Sequence, residues 1–524
     1  MAAMNDATAA YSAPQRIIVL GGGISGLASA FYLSKQAKEQ GLSLEIILVE
    51  ESEQLGGRLR TENREGCLIE KGPDSFIARK TAILDLTAEL GLTGELVPTN
   101  PDAKTSYILH KGKMHPMPMG FILGIPTKLS PFIRTGLISP IGKLRAALDL
   151  VLPKKQGAED EALGDFIERR LGKEVLERIT EPLLAGIYAG DTRSLSLKAT
   201  FPQFKAMEER EGSLIKGMAR GGRPKAGRAP SSGSGSVPVG SRASSMPAQT
   251  GRAPALSGKL AGSMFLSYQG GLSALVERLE QQLRDSGVDV ITGACAASLV
   301  KKDLYSYEVT LGNGQCLTAD GVICALPAFE AARLLNKEVP TAQRLEEIDY
   351  VSVANIALAY RTSDLNISFE RSGFLVPRKE GRLITACTWS STKWQHVAPE
   401  GQTLLRTYIG RSGAQEWTSM EDGELIEAAQ RDLRELTGLD TVPQWAEVSR
   451  CLSAMPQYPV GHVEMMNEVR SDLEKSLPGV LLCGAGYNGV GIPDCVAGGR
   501  NAAEKLLQGL PARVQNTEKC EPAS

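Results

Sequence analysis

Histidine is scarce in this 524-residue chain: only His110, His115, His396 and His462 occur. None sits in a motif that demands a general base, so each is read as structural, and no Ser-His-Asp or paired-carboxylate constellation is visible. The nine cysteines are scattered and never form a C-x-x-C pair, which argues against a zinc site or a disulfide framework and for a reducing compartment. An excess of one charge sign is missing too. A formal net charge of −2 gives no global signature for nucleic acid. No apolar run reaches the roughly 18 residues of a spanning helix. The nearest candidate, 116–141, is broken by prolines, Lys128 and Arg134, and reads as irregular or amphipathic, able at most to touch a membrane surface. Residues 1–15 lack an apolar core and arginine and contain Asp6, unlike a secretory or transit peptide. The expectation is a cytoplasmic protein with at most peripheral membrane contact.

What is present is glycine in particular places. Residues 16–20 (RIIVL) predict a short buried strand, 27–40 a helix, and 44–50 (LEIILVE) a second strand. Between strand and helix stands GGGISG, with Gly21, Gly23 and Gly26 in G-x-G-x-x-G spacing. The first glycine makes the tight turn, the second admits a pyrophosphate to the backbone, and the third lets helix and strand pack closely. Gly22, Ile24 and Ser25 complete the turn and offer helix N-terminal amides to the anion. Val49 and Glu50 end the second strand, where a carboxylate suits ribose hydroxyls and disfavours the 2′-phosphate of NADP.

Further glycines favour FAD over NAD. Gly56-Gly57-Arg58 extends the groove, with Arg58 facing phosphate or flavin, and the turn Gly72-Pro73-Asp74-Ser75 is placed to line an isoalloxazine ring. Near the C-terminus an apolar strand at 480–483 leads into GAGYNGVGIPD (484–494), including Gly484, Val490, Gly491 and Ile492. A helix containing Gly498, Gly499, Ala502 and Ala503 follows, and its N-terminal dipole could face the flavin. Between these ends, Leu272, Leu275, Val276, Leu279 and Leu283 mark one helical face. Residues 288–291 read as a strand, 309–311 with Asn313-Gly314 as a hairpin, and 321–326 as a buried strand. Residues 219–262 are rich in Gly, Ser, Pro and Arg, and no acid occurs between Glu211 and Glu277. That stretch is read as a disordered basic insertion.

These motifs resemble those of the protoporphyrinogen/coproporphyrinogen oxidases among the amine-oxidase-like flavoproteins. The likeness runs from Arg16 to Leu507 and is carried by EKGPDSF (70–76), EPLLAGIYAGDTRSLSLKATFPQF (181–204), GFLVP (373–377), ACTWSSTKWQHVAP (386–399), MPQYPVGH (455–462) and GVGIPDC (489–495). The pattern is most similar to the soluble bacterial branch. The resemblance implies an α/β fold: a Rossmann-like FAD-binding domain (11–100, 267–330, 448–511), an α+β substrate domain (101–118, 331–447), a helical subdomain (119–218) and a polar tail (512–524). It implies non-covalent FAD and the six-electron oxidation of coproporphyrinogen III to coproporphyrin III in haem biosynthesis. Oxygen would be the acceptor, hydrogen peroxide the product, and the porphyrin would pass to the next enzyme of the pathway. Arg79 and Lys80 become substrate anchors, with Lys80 matching a lysine assigned to a propionate. Gly186 and Ile187 match a ring-contacting backbone. Two positions depart from the family: Ala296 replaces a valine whose backbone meets the adenine, and Cys451 stands where a tryptophan is expected near MPQY. Protoporphyrinogen IX is the alternative substrate. A non-catalytic binder or an amine oxidase on the same fold are the alternatives of other kinds, though Cys483 and Cys495 fit no evident flavin-attachment pattern.

Overall fold

The computed structural model describes residues 14–510, apart from 104, 119–120, 123–124, 127–128, 158, 222–255, 257, 259 and 368–371. Most of the expected insertion, and the polar tail, therefore lie outside the described residues. The insertion's expected edges differ from what is seen. Helix Leu214–Gly221 runs through 219–221, and Leu256 and Leu260 pack on the main core, because apolar side chains return there after the Gly/Ser-rich stretch.

Strand Gln15–Leu20 lies at the centre of a five-stranded parallel sheet. Its strands run in the order Asp289–Ile291, Leu44–Val49, Gln15–Leu20, Gly321–Cys324, Val480–Leu482. Alternation of side chains across the pleat explains its two cores. Ile17, Val19, Ile46, Leu48 and Ile323 face helices Ile24–Gln40, Ser273–Asp285 and Ile492–Gly509. Ile18, Leu20, Ile47, Val49, Val322 and Cys324 face the opposite way. There an antiparallel sheet (Ala296–Asp303, Ser306–Leu311, Cys316–Ala319) and helices Ala328–Leu335 and His462–Ser476 cover them. The first helix starts at Ile24, three residues before the expected start, so Ile24, Ser25 and Gly26 form its first turn rather than a loop.

A seven-stranded, mainly antiparallel sheet was not foreseen. Its order is Trp445–Pro456, Tyr350–Arg361, Gln402–Ile409, Ile384–Trp389, Gly373–Leu375, Ser106–His110, Lys113–Pro116. Strand Trp445–Pro456 runs straight through the domain boundary expected at 447/448. A helical cluster spans the chain between Leu129 and Gly221, cored by Phe166, Ile167, Leu171, Ile179 and Phe204. No helix among the described residues is long and apolar enough to cross a membrane.

Candidate functional site

Gly21 takes φ +100°, and its amide donates to Val49 O at 2.8 Å, which closes the turn at the end of the first strand. A Cβ on Gly26 would stand 1.8 Å from Gly21 O, so only glycine fits there. Gly23 differs: a Cβ on it would meet no atom within 4 Å. It is the N-cap of helix Ile24–Gln40, with no side chain capping that end and no acid in its first turn. The first amides of a helix lack intrahelical acceptors. Open space beside them is therefore an anion cradle that the protein does not fill itself.

Glu50 closes the cradle on one side. Its Oε2 accepts the Gly22 amide at 2.6 Å, and its Oε1 accepts the Ser52 amide at 2.9 Å. Carboxylate oxygens have several acceptor sites, so capacity for ribose hydroxyls remains. Segment 293–296 runs alongside: Ala294 N donates to Glu50 O at 3.0 Å, and Gly293 N to Ser52 O at 3.1 Å. Ala296 is buried at the start of its strand, and its carbonyl accepts from Arg333 at 3.0 Å. Gly56 N bonds Gly22 O at 2.8 Å, and Gly57, at φ +58°, sits against Gly23. Arg58 is exposed and donates to Leu452 O at 2.8 Å.

The turn Gly72-Pro73-Asp74-Ser75 is held from behind by the seven-stranded sheet. Arg406 donates to Gly72 O and, at 3.0 Å, to Asn355 Oδ1, and Asn355 Nδ2 reaches Lys71 O at 2.8 Å. Asp74 accepts from Lys393 at 2.8 Å, Trp394 at 3.3 Å and Ser75 at 2.6 Å. Burial works against its ionisation, but the charges of Lys393 and Arg406 and these hydrogen bonds hold its carboxyl well below the usual carboxylate range. Glu70, just before the turn, goes the other way. Burial pushes it up to about 7, despite hydrogen bonds from the Leu272 amide and the Thr61 hydroxyl. Glu70, Lys393, Trp394 and Arg406 were not anticipated as site residues. The motif around Glu70 was recognised, but only the long-range strand pairing shows what these side chains touch. Cys451 Sγ contacts Lys71 O at 3.5 Å on the same flank.

The C-terminal glycines close the cofactor region. Gly484 and Gly489 take φ of +137° and +139°, and Gly491 caps helix Ile492–Gly509 without a side-chain bond. That helix crosses the first one so tightly that a Cβ on Gly499 would be 2.4 Å from Ser25 O. Cys483 and Cys495 are buried free thiols, each pushed up to about 12 by burial.

Of the expected substrate residues, Lys80 is tied directly to this region. Lys80 Nζ binds both carboxylate oxygens of Asp494, at 2.6 and 2.5 Å, joining the GPDSFIARK segment to the GVGIPD segment. Lys80 is thus already partnered, and Asp494 was missed because 414 residues separate them. Arg79 is exposed with no ion-pair partner among the described residues. Gly186 lies inside helix Glu181–Tyr188 with open space where a Cβ would be, and Ile187 is exposed beside it. Tyr188 ends that helix, and burial together with the nearby charge of Asp494 raises its phenol well above the ordinary value. Val490 packs on the same helical cluster. Of the histidines, His462 is buried, stacked 4.3 Å from Tyr458, and lowered to about 4 by burial.

Comparison with known proteins agrees with this geometry. Residues 24–507 match the family of flavin containing amine oxidoreductases. A coproporphyrinogen III oxidase of Bacillus subtilis (strain 168) is 40% identical over 496 residues, 94% of this chain and 98% of the relative. The Staphylococcus aureus protein of the same name is 34% identical over 94% of this chain and 99% of its own. Human protoporphyrinogen oxidase is 30% identical over 94% of this chain and 98% of its own. A crystal structure from Exiguobacterium sp. 255-15, provisionally named a protoporphyrinogen oxidase, superposes with a TM-score of 0.78 at 33% identity, covering 95% of this chain and 99% of that one. The open cradle at Gly23, the carboxylate of Glu50 and the two uncapped helix ends fit FAD. The chain belongs to the flavin containing amine oxidoreductases, in the group that its coproporphyrinogen and protoporphyrinogen oxidase relatives make up.

Proposed function

We propose that this enzyme oxidises coproporphyrinogen III to coproporphyrin III in the cytoplasm, with oxygen as acceptor and hydrogen peroxide as product. The single observation that carries the reading is the 40% identity, over 94% of this chain, to a coproporphyrinogen III oxidase, and the Lys80–Asp494 pair that ties the 72–80 segment to the C-terminal glycine loop is consistent with it. Bound FAD supplies the two-electron acceptor for the hydride leaving the macrocycle. Six electrons leave in three rounds, so three oxygen molecules become three of peroxide. The protein's own part is to bind and orient. Gly186 lets a flat ring approach the helix backbone, Ile187 offers it an apolar face, and the cations meet its carboxylates. Val49, Glu50, Gly57, Arg58 and Ala296 would hold the nucleotide, and the turn at 72–75 and residues 484–492 the flavin ring. Steady-state kinetics on both porphyrinogens test the reading. The larger kcat/KM is expected for coproporphyrinogen III, and preference for protoporphyrinogen IX would reassign the substrate.

A second reading concerns place of action. Ile141, Leu144 and Val151 are 81%, 70% and 77% exposed along one face of helix Pro140–Ala147 and the turn after it, with Ile133 nearby at 63%. Over 103–158 the only acid is Asp149, which is buried, against nine Lys and Arg residues. An apolar stripe among cations suits peripheral contact with an anionic lipid surface, from which product would pass to the next enzyme of the haem pathway. Flotation with phosphatidylglycerol vesicles should carry the protein upward. A protein that stays at the bottom at low salt refutes the contact.

A further inference from the structure

The Lys80–Asp494 pair has a consequence for carboxylate recognition, and it rests on the porphyrinogen reading above. Lys80 caps helix Thr81–Glu89, and Asp494 stands in the first turn of helix Ile492–Gly509, so both charges are fixed by rigid elements. Their side chains are 43% and 26% exposed, the exposed Arg79 precedes Lys80 in the chain, and Tyr188, at the end of the helix that carries Gly186 and Ile187, lies within reach of the charge of Asp494. A lysine bound by both oxygens of a carboxylate presents almost no net charge to an arriving anion, and that anion also meets the repulsion of Asp494.

We propose that Asp494 is a specificity-determining residue: by neutralising Lys80 it sets how strongly this edge of the site attracts substrate carboxylates, and so the discrimination between tetracarboxylate and dicarboxylate tetrapyrroles. Arg79 then supplies the uncompensated cation of this edge. The net charge of the pair is 0 in the wild type, +1 in Asp494→Asn, −1 in Lys80→Gln and 0 again in the double variant.

The test is binding of coproporphyrin III, a stable tetracarboxylate, to the FAD-loaded protein, followed by porphyrin fluorescence. Affinity should rank Asp494→Asn first, wild type and Lys80→Gln/Asp494→Asn together, and Lys80→Gln last, with about fivefold between steps, the scale of a partly exposed charge contact. The steps should shrink at high salt and be smaller for the dicarboxylate protoporphyrin IX. A double variant as weak as Lys80→Gln overturns the proposal, because Lys80 then binds the ligand with no influence from Asp494. So does an Asp494→Asn variant that binds no tighter while keeping its flavin. If that variant loses flavin, the order of the other three decides. A wild-type protein that binds neither porphyrin overturns the functional reading, and this inference with it.

Discussion

Lys393 Nζ lies 2.8 Å from Asp74 Oδ2, across 319 residues of sequence, with less than a fifth of either side chain exposed. Removing one partner of a buried pair strands the other, so Lys393→Met should lower unfolding free energy by about 3 kcal/mol in urea titrations. The folded carboxyl of Asp74 titrates below its unfolded value of 3.8. Its stabilisation is therefore fully present above that value and lost as pH falls below it. Wild type should lose stability steeply in acid, and Lys393→Met less so. Equal acid slopes would remove Asp74 from the account.

Glu70 should produce the opposite slope at higher pH. Its folded carboxyl is raised from 4.5 to about 7, so the folded state binds a proton that the unfolded state has lost. Stability then falls as pH rises from 4.5 to about 7, by at most about 3 kcal/mol, and is flat beyond. Glu70→Gln keeps an acceptor for the Leu272 amide and should flatten that region of the melting-temperature profile. An unchanged profile in the variant would show that Glu70 is ionised throughout.

Two glycines of the same turn should fail differently. Gly23→Val adds atoms where no protein atom lies within 4 Å of the Cβ, at an ordinary φ of −68°. The apo-protein should fold with an unchanged melting temperature and carry no FAD. Gly26→Ala drives a methyl onto Gly21 O and should lower the apo melting temperature itself. Flavin content after purification, read beside apo stability, separates the two.

Replacing 222–255 with a short Gly/Ser linker should leave flavin content and turnover largely unchanged. Loop entropy depends only weakly on length, and the apolar anchors Leu256 and Leu260 stay in place. Loss of flavin on replacement would show that the segment supports the fold.

The cofactor half of the molecule was legible in the sequence because its signals are local. The glycine spacing, the apolar runs at 16–20 and 44–50 and the acid at 50 each lie within a few residues of what they act on. The sheet behind the 72–75 turn was not. Arg406 sits in TLLRTYI, where nothing nearby reveals that it reaches the carbonyl of Gly72, and Asn355 looks like an ordinary break in an apolar strand. The first helix began early because a glycine turn and a helix N-terminus are one structure here, whereas periodicity shows only where side chains repeat. The sequence offers Arg79 and Lys80 only as a basic pair; the fold distinguishes them, giving Lys80 a carboxylate and Arg79 none among the described residues.

The tight crossing at Gly499 sets an order of events during synthesis. Strand Val480–Leu482 and helix Ile492–Gly509 are among the last described elements to be made, yet they complete the sheet and the helix layer begun at Gln15. Until they arrive, strand Gly321–Cys324 is an unpaired edge and the face of the first helix around Ser25 and Ser29 lies bare. Such non-local parallel pairing is slow and exposes sticky surface meanwhile. A ribosome stalled before residue 480 is therefore expected to display a nascent protein that does not retain FAD.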